Sequence, residues 1–114
     1  MAKIFKIIDK AAYELASQKG RFEGAEIDLK DGYIHFSSGT QMQETARRHF
    51  AGRANLMLLA VDAEALGEAL KWEASRGGQL FPHLYGVLEM RHVVWAKPLP
   101  WNGAEHDFPA EAFA

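Results

Sequence analysis

The chain has no cysteine. That excludes a disulfide, a thiolate nucleophile and a cysteine-ligated metal, so any metal would have to be held by histidine and carboxylate. No stretch approaches the roughly 20 consecutive apolar residues of a membrane-spanning helix. The opening Met1-Ala2-Lys3-Ile4-Phe5-Lys6 also lacks the apolar segment and small-residue cleavage site of a secretory leader. The expectation is a cytoplasmic protein without membrane attachment. Charge of one sign is scarce as well. A formal net charge of −2 and a pI near 6.2 give no electrostatic reason to hold a polyanion, and dedicated nucleic-acid binding is not expected. Internal repeats and low-complexity segments are absent.

What is present is enough for one core. At 114 residues the chain predicts a single domain over 1–114. Within it, 98–114 form an extended tail packed on the rest, because Pro98, Pro100 and Pro109 alternate there with Trp101, Phe108 and Phe113. Ile4 to Ile8 reads as a first strand. Asp9 then caps a helix over Lys10 to Lys19 with Ala12, Leu15 and Ala16 on its apolar stripe, closed by Gly20. Thr40 followed three residues on by Gln43 fits a capping box. It opens a second helix, whose stripe is Met42, Ala46, His49 and Phe50 and which stops near Gly52. Leu56-Met57-Leu58-Leu59-Ala60-Val61 does not alternate, as expected of a central strand covered on both faces. Asp62 to Leu66 predicts a helical turn, Leu70 to Glu73 a short strand, Arg76-Gly77-Gly78 a turn and Val93 to Ala96 the last strand. The fold class is α+β with two main helices.

The candidate chemistry lies in two runs. In Asp31-Gly32-Tyr33-Ile34-His35-Phe36-Ser37-Ser38 a turn-forming Asp-Gly pair leads into an alternating strand. Irregular chain from Arg21 and the alternation of Ile27 and Leu29 with Asp28 and Lys30 suggest a hairpin through that pair. Tyr33, His35 and Ser37 then share one face, opposite Ile34 and Phe36. The second run, Phe81-Pro82-His83-Leu84-Tyr85-Gly86, reads as a loop that carries His83 beside an aromatic. Together the runs predict one pocket.

Each candidate has a plain structural role beside the functional one. His35 is either a ligand-orienting donor or an exposed strand histidine. Ser37 and Ser38 can donate to a phosphate or ribose, and can equally cap the helix that follows. His83 and Tyr85 can bind a flat ligand, or Tyr85 can fill the core. Glu73, next to Trp72, is a carboxylate open to perturbation by burial or an ordinary edge glutamate, and Glu89 stands in reserve. His49 reads as a packing residue. Arg47, Arg48 and Arg53 read as a solvated basic cluster at the end of the second helix. His92 and His106 lack partners at metal-ligand spacing, and His35 with His83 makes only two ligands, so no metal site is assigned.

Ile4-Phe5-Lys6-Ile7, the Asp31 to Ser37 block, Leu56 to Val61 and the Phe81 to Gly86 block resemble, in order and spacing, the bacterial family known as domain of unknown function 952. The match runs to about Pro98. The resemblance implies a fold like that of ADP-ribosyltransferases, a small split β-sheet that clasps NAD. It also implies that His35 and Ser37 match an early-strand histidine and hydroxyl beside the nicotinamide ribose, with Glu73 in the place of the charge-stabilising acid. The surrounding transferase motif is not clearly present at Glu73. The implied catalytic residues are Glu73 and His35, and the implied ligand residues are His35, Ser37, Ser38, His83 and Tyr85. NAD would enter as substrate, with a noncatalytic nucleotide- or metabolite-binding module and an interaction protein without a small ligand as the alternatives. Neither an acceptor nor an oligomeric state can be read from the residues.

Overall fold

The computed structural model describes residues 2–114. Its centre is a three-stranded antiparallel sheet of β1 (Lys3–Asp9), β4 (Leu56–Asp62) and β8 (Val93–Leu99), in the order β1-β4-β8. The unbroken run in β4 is buried on both faces as expected, with Leu58, Leu59, Ala60 and Val61 fully enclosed. Alternation divides the residues between two cores. Ile4 and Ile8 of β1 with Met57, Leu59 and Val61 of β4 face one core, joined by Ala16, Phe22, Ile34, Phe36, Leu84 and Leu88. Phe5, Ile7, Leu56, Leu58 and Ala60 face the other, covered by Met42 and Ala46 and closed by Leu99 and Ala112. Lys6 falls by parity on the first face, in an apolar strand and almost fully buried.

Helix α1 (Lys10–Lys19) ends on Gly20, whose φ of 81° is the left-handed conformation that glycine adopts without a side-chain clash. Its inward stripe is Ala12, Tyr13 and Ala16, whereas Leu15 is exposed. Asp9 makes no side-chain cap and instead accepts from Arg53 Nη2 at 2.6 Å. A two-stranded ribbon pairs β2 (Arg21–Phe22) with β7 (Leu88–Glu89). The second core element is α3 (Met42–His49), which opens with a different pair from the one expected. The Ser38 backbone N–H donates to Gln41 Oε1 at 3.0 Å, while Thr40 meets only the Ser38 hydroxyl. His49, the last residue of α3, is exposed, whereas Met42 and Ala46 are buried. Arg47, Arg48 and Arg53 pair separately with Glu105, Glu44 and Asp9.

The other three-stranded sheet, in the order β3-β6-β5, carries the candidate residues: β3 is Ile34–His35, β6 is Leu80–Leu84 and β5 is Leu70–Ala74. A single antiparallel bridge between Phe5 and Ser37 links its first strand to β1.

Three further expectations need correction. The Asp31-Gly32 pair does not turn a hairpin. It ends a third helix, α2 (Glu26–Asp31), where Gly32 at φ 87° donates its N–H to the Asp28 carbonyl at 2.9 Å. Ile27 and Leu29 are accordingly exposed, and the side chain that α2 buries is Asp28. The Phe81 to Gly86 block is not a loop, because its first four residues lie in β6. Pro82 fits there beside the end of β3, accepting from the Phe36 N–H at 3.0 Å. Finally, β8 continues past Ala96 through Pro98 to Leu99, so Pro98 lies in an edge strand and not at the start of the tail. Beyond it a Trp101–His106 bridge and a turn at Ala110–Phe113 bring Ala112 into the second core.

Candidate functional site

The register of the β3-β6-β5 sheet assembles the site. His35 is the cross-strand partner of His83, and His83 is in turn opposite Lys71. Cross-strand partners share a face, as do residues two apart along a strand. Tyr33, His35, His83, Tyr85 and Glu73 therefore stand together, while Ile34, Leu84 and Leu70 turn into the first core. Ring positions bear this out. Tyr33 stacks on His83 with centroids 4.2 Å apart and 28° between planes, and lies 4.7 Å from His35 and 5.2 Å from Tyr85. The two imidazoles meet edge to face at 5.4 Å.

Glu73 is fixed by two of these residues. His83 Nδ1 and Tyr85 Oη each donate to Glu73 Oε1 at 2.8 Å. His83, then Tyr85, by bonding the ionised form, hold the Glu73 carboxyl below the usual glutamate range. The same contact with Glu73 raises the Tyr85 phenol. Burial, with the negative charges of Asp31 and Glu73, raises that of Tyr33.

Beneath His35 lies a charge pair that no local pattern in the sequence announces. Asp28 is 2% exposed. Its Oδ1 accepts from His35 Nδ1 at 2.7 Å, the His35 N–H at 3.1 Å and Lys6 Nζ at 3.1 Å. Its Oδ2 accepts from the Ala25 N–H at 2.8 Å and lies 3.0 Å from Lys6 Nζ. Burial by itself would raise the Asp28 carboxyl. The bond from His35, the Lys6 charge and the two backbone donors outweigh it and hold the group at about 2. Burial pulls the Lys6 amine down, partly offset by Asp28. On the other side of the ring, His35 Nε2 meets Asp31 Oδ2 at 2.9 Å. Both ring nitrogens face carboxylates, which only accept, so both bonds form together only in the doubly protonated ring.

The sequence-derived residues thus divide. His35, His83, Tyr85 and Glu73 come together. Ser37 and Ser38 turn instead to the start of α3, where the Ser37 hydroxyl bonds Thr45 Oγ1 at 2.8 Å and the Ser38 hydroxyl bonds Thr40 Oγ1 at 3.2 Å. Glu89 sits in β7 opposite Arg21. Alternation puts Tyr33 on the His35 face without giving it a role, and Asp28, Asp31 and Lys6 have none assigned from sequence. Asp31 stands four residues before His35, a spacing visible without a structure, whereas Lys6 and Asp28 meet across 22 positions. Among the described residues no group of three or more His, Asp or Glu side chains is arranged to hold a metal ion. Two surface concavities contain none of the clustered residues. One, of about 280 Å³, is lined by residues that include Arg47, Trp101 and His106. The other, of about 420 Å³, is lined by residues that include Phe5, Ser38 and Phe113. Among the described residues no helix is long and apolar enough to cross a membrane.

The sequence profile of the family described as "Protein of unknown function (DUF952)" matches residues 7–96. The crystal structure of protein CC0527 from Caulobacter crescentus is 48% identical and superposes with a TM-score of 0.93, covering 98% of this chain and 99% of that one. The solution NMR structure of CC0527 is 52% identical with a TM-score of 0.83, covering 93% of this chain and 91% of that one. No curated protein matches the sequence.

Proposed function

Because this chain belongs to the family described as "Protein of unknown function (DUF952)", which carries no activity to transfer, we infer its role from the site. The inferred role is to bind NAD or an ADP-ribose-containing nucleotide in the His35/His83 cleft and to act on it through Glu73. The observation that carries this reading is the convergence of His83 and Tyr85 on one oxygen of Glu73, beside the rings of Tyr33 and His35. Breaking an N-glycosidic bond leaves an oxocarbenium-like centre. An anion already fixed in place stabilises that centre more than it stabilises the bound substrate. A carboxylate held by two donors does not have to reorganise as charge develops. Tyr33 and Tyr85 supply aromatic surface for a flat ring, and His35 a donor above the buried Asp28. A likeness to ADP-ribosyltransferases is supported by the sheet divided into two three-stranded parts, joined at Phe5 and Ser37. Fold likeness alone does not establish chemistry, and it is the side chains that support this role.

A second reading, a binding module without catalysis, is favoured by the partial exposure of Glu73, whose side chain is 38% accessible. Water that reaches the carboxylate weakens its hold on a developing cation. Incubating the purified protein with NAD and following binding and nicotinamide release together separates the readings. Binding with release supports the enzyme. Binding without release supports the module. Neither one removes NAD as the ligand, and leaves the cleft to another metabolite or the chain to a role in protein interaction.

A further inference from the structure

The His35 ring is held very differently on its two sides. On the buried side, Nδ1 and the backbone N–H of His35 both donate to Asp28 Oδ1, which Lys6 also engages, so the ring's tilt is set from below by groups that cannot easily move. On the outer side, Nε2 bonds Asp31, whose side chain is 35% exposed at the last residue of α2. A carboxylate at a helix C-terminus gains nothing from the helix dipole. Its bond to His35, a contact about one-third exposed on each side and of the kind worth little in water, holds it there.

We infer that Asp31 occupies an oxyanion subsite, and that a phosphate or carboxylate group of the ligand takes its place on His35 Nε2. The exchange is like for like. An incoming oxyanion accepts the same N–H, and Asp31 turns into solvent, where it is hydrated. A neutral hydroxyl would have to break a charge-assisted bond and replace it with a weaker one, so it is disfavoured at this position. The arrangement makes Asp31 an internal competitor that excludes weakly bound anions and yields to one anchored elsewhere in the cleft. This deepens the function proposed above and rests on it for the position of the cleft. It requires neither NAD nor turnover.

The test is a titration of the 15N-labelled protein with inorganic pyrophosphate and, separately, with ADP-ribose at fixed pH and ionic strength. The readout is the imidazole nitrogen signals of His35 and of the neighbouring His83, the latter alone in His35→Ala. Asp31→Ala is expected to bind about fivefold tighter than wild type, the upper range for releasing a partly exposed ion pair. Asp31→Asn, which keeps an acceptor but loses the charge, is expected to fall between. His35→Ala should abolish the gain. A larger gain with ADP-ribose than with pyrophosphate identifies a nucleotide phosphate as the occupant, and a gain with pyrophosphate as large or larger identifies a free phosphate group. Equal affinity of wild type and Asp31→Ala for both overturns the inference. So does an equal gain in Glu14→Gln, an exposed position on α1 that changes net charge by the same amount. If Asp31→Ala gains affinity while NAD neither binds nor turns over, the NAD reading fails and the subsite stands. If NAD is consumed and Asp31→Ala gains nothing, the reverse holds.

Discussion

His35 and His83 are cross-strand partners with rings 5.4 Å apart, although 48 positions separate them in sequence. Each holds a different carboxylate. His35 grips the buried Asp28 and His83 the partly exposed Glu73, so one face of a short sheet carries one enclosed and one accessible carboxylate. These two carboxylates make distinct predictions.

Glu73→Gln keeps the side chain's size and removes its charge. Ligand affinity should be retained while turnover falls by about 100-fold, within the range for a lost electrostatic contribution at a reacting centre. His35→Ala should instead weaken binding, since its hydrogen bond acts already in the ground state. Steady-state kinetics with separate binding curves tests both. Equal turnover of wild type and Glu73→Gln would remove Glu73 from the chemistry.

Tyr85→Phe leaves the ring and deletes one of the two donors to Glu73. A donor to the ionised form lowers a carboxyl pKa, so its loss must raise the Glu73 value. Carbon-detected NMR titration of the glutamates should show Glu73 moving up and the others staying in place. An unmoved Glu73 would mean that the phenol does not hold it.

Asp28 governs stability. Its carboxyl sits at about 2 in the folded protein against an ordinary 3.8, so folding favours the ionised form. The stabilisation is fully present above 3.8 and is lost as pH falls from there through about 2. It amounts to about 2 kcal/mol by linkage. Denaturant unfolding of wild type should weaken over that window. Asp28→Asn leaves Lys6 buried without its counter-charge and should cost about 3–5 kcal/mol at neutral pH, with a smaller loss on acidification. Parallel acid profiles of the two proteins would contradict this assignment.

Leu58 is fully enclosed in the central strand between β1 and β8. Leu58→Ala should cost about 2–5 kcal/mol, and Leu58→Asp should unfold the chain, because an ionised carboxylate there has no partner. Circular dichroism with thermal melting checks both. A cooperative transition in Leu58→Asp near the wild-type temperature would refute the central place given to β4.

The sequence was most legible where burial is symmetrical or strictly alternating. The run of β4 declared a strand covered on both faces, and the parity of Tyr33, Ile34 and His35 sorted site from core. The Asp31-Gly32 pair is ambiguous in sequence because positive-φ glycine serves both a tight hairpin and a helix C-cap. The choice was made by Asp28, whose partners include Lys6 on a distant strand. The same long-range pair explains why the anchor under His35 was invisible, since a lysine in an apolar strand and an aspartate in a mixed-charge segment have no reason to be matched until the strand and α2 are packed. Ser37 failed for a different reason. Parity placed it with His35, but the chain leaves β3 after His35 to bridge Phe5, and the hydroxyl turns to Thr45.

The central claim is that one cleft, containing both histidines, receives the nucleotide. It is tested most directly by titrating the 15N-labelled protein with NAD and following the imidazole signals of His35 and His83. Both should shift along a single saturation curve, and His35→Ala should abolish the response at His83. Unchanged signals for both residues at NAD concentrations of several millimolar would contradict it.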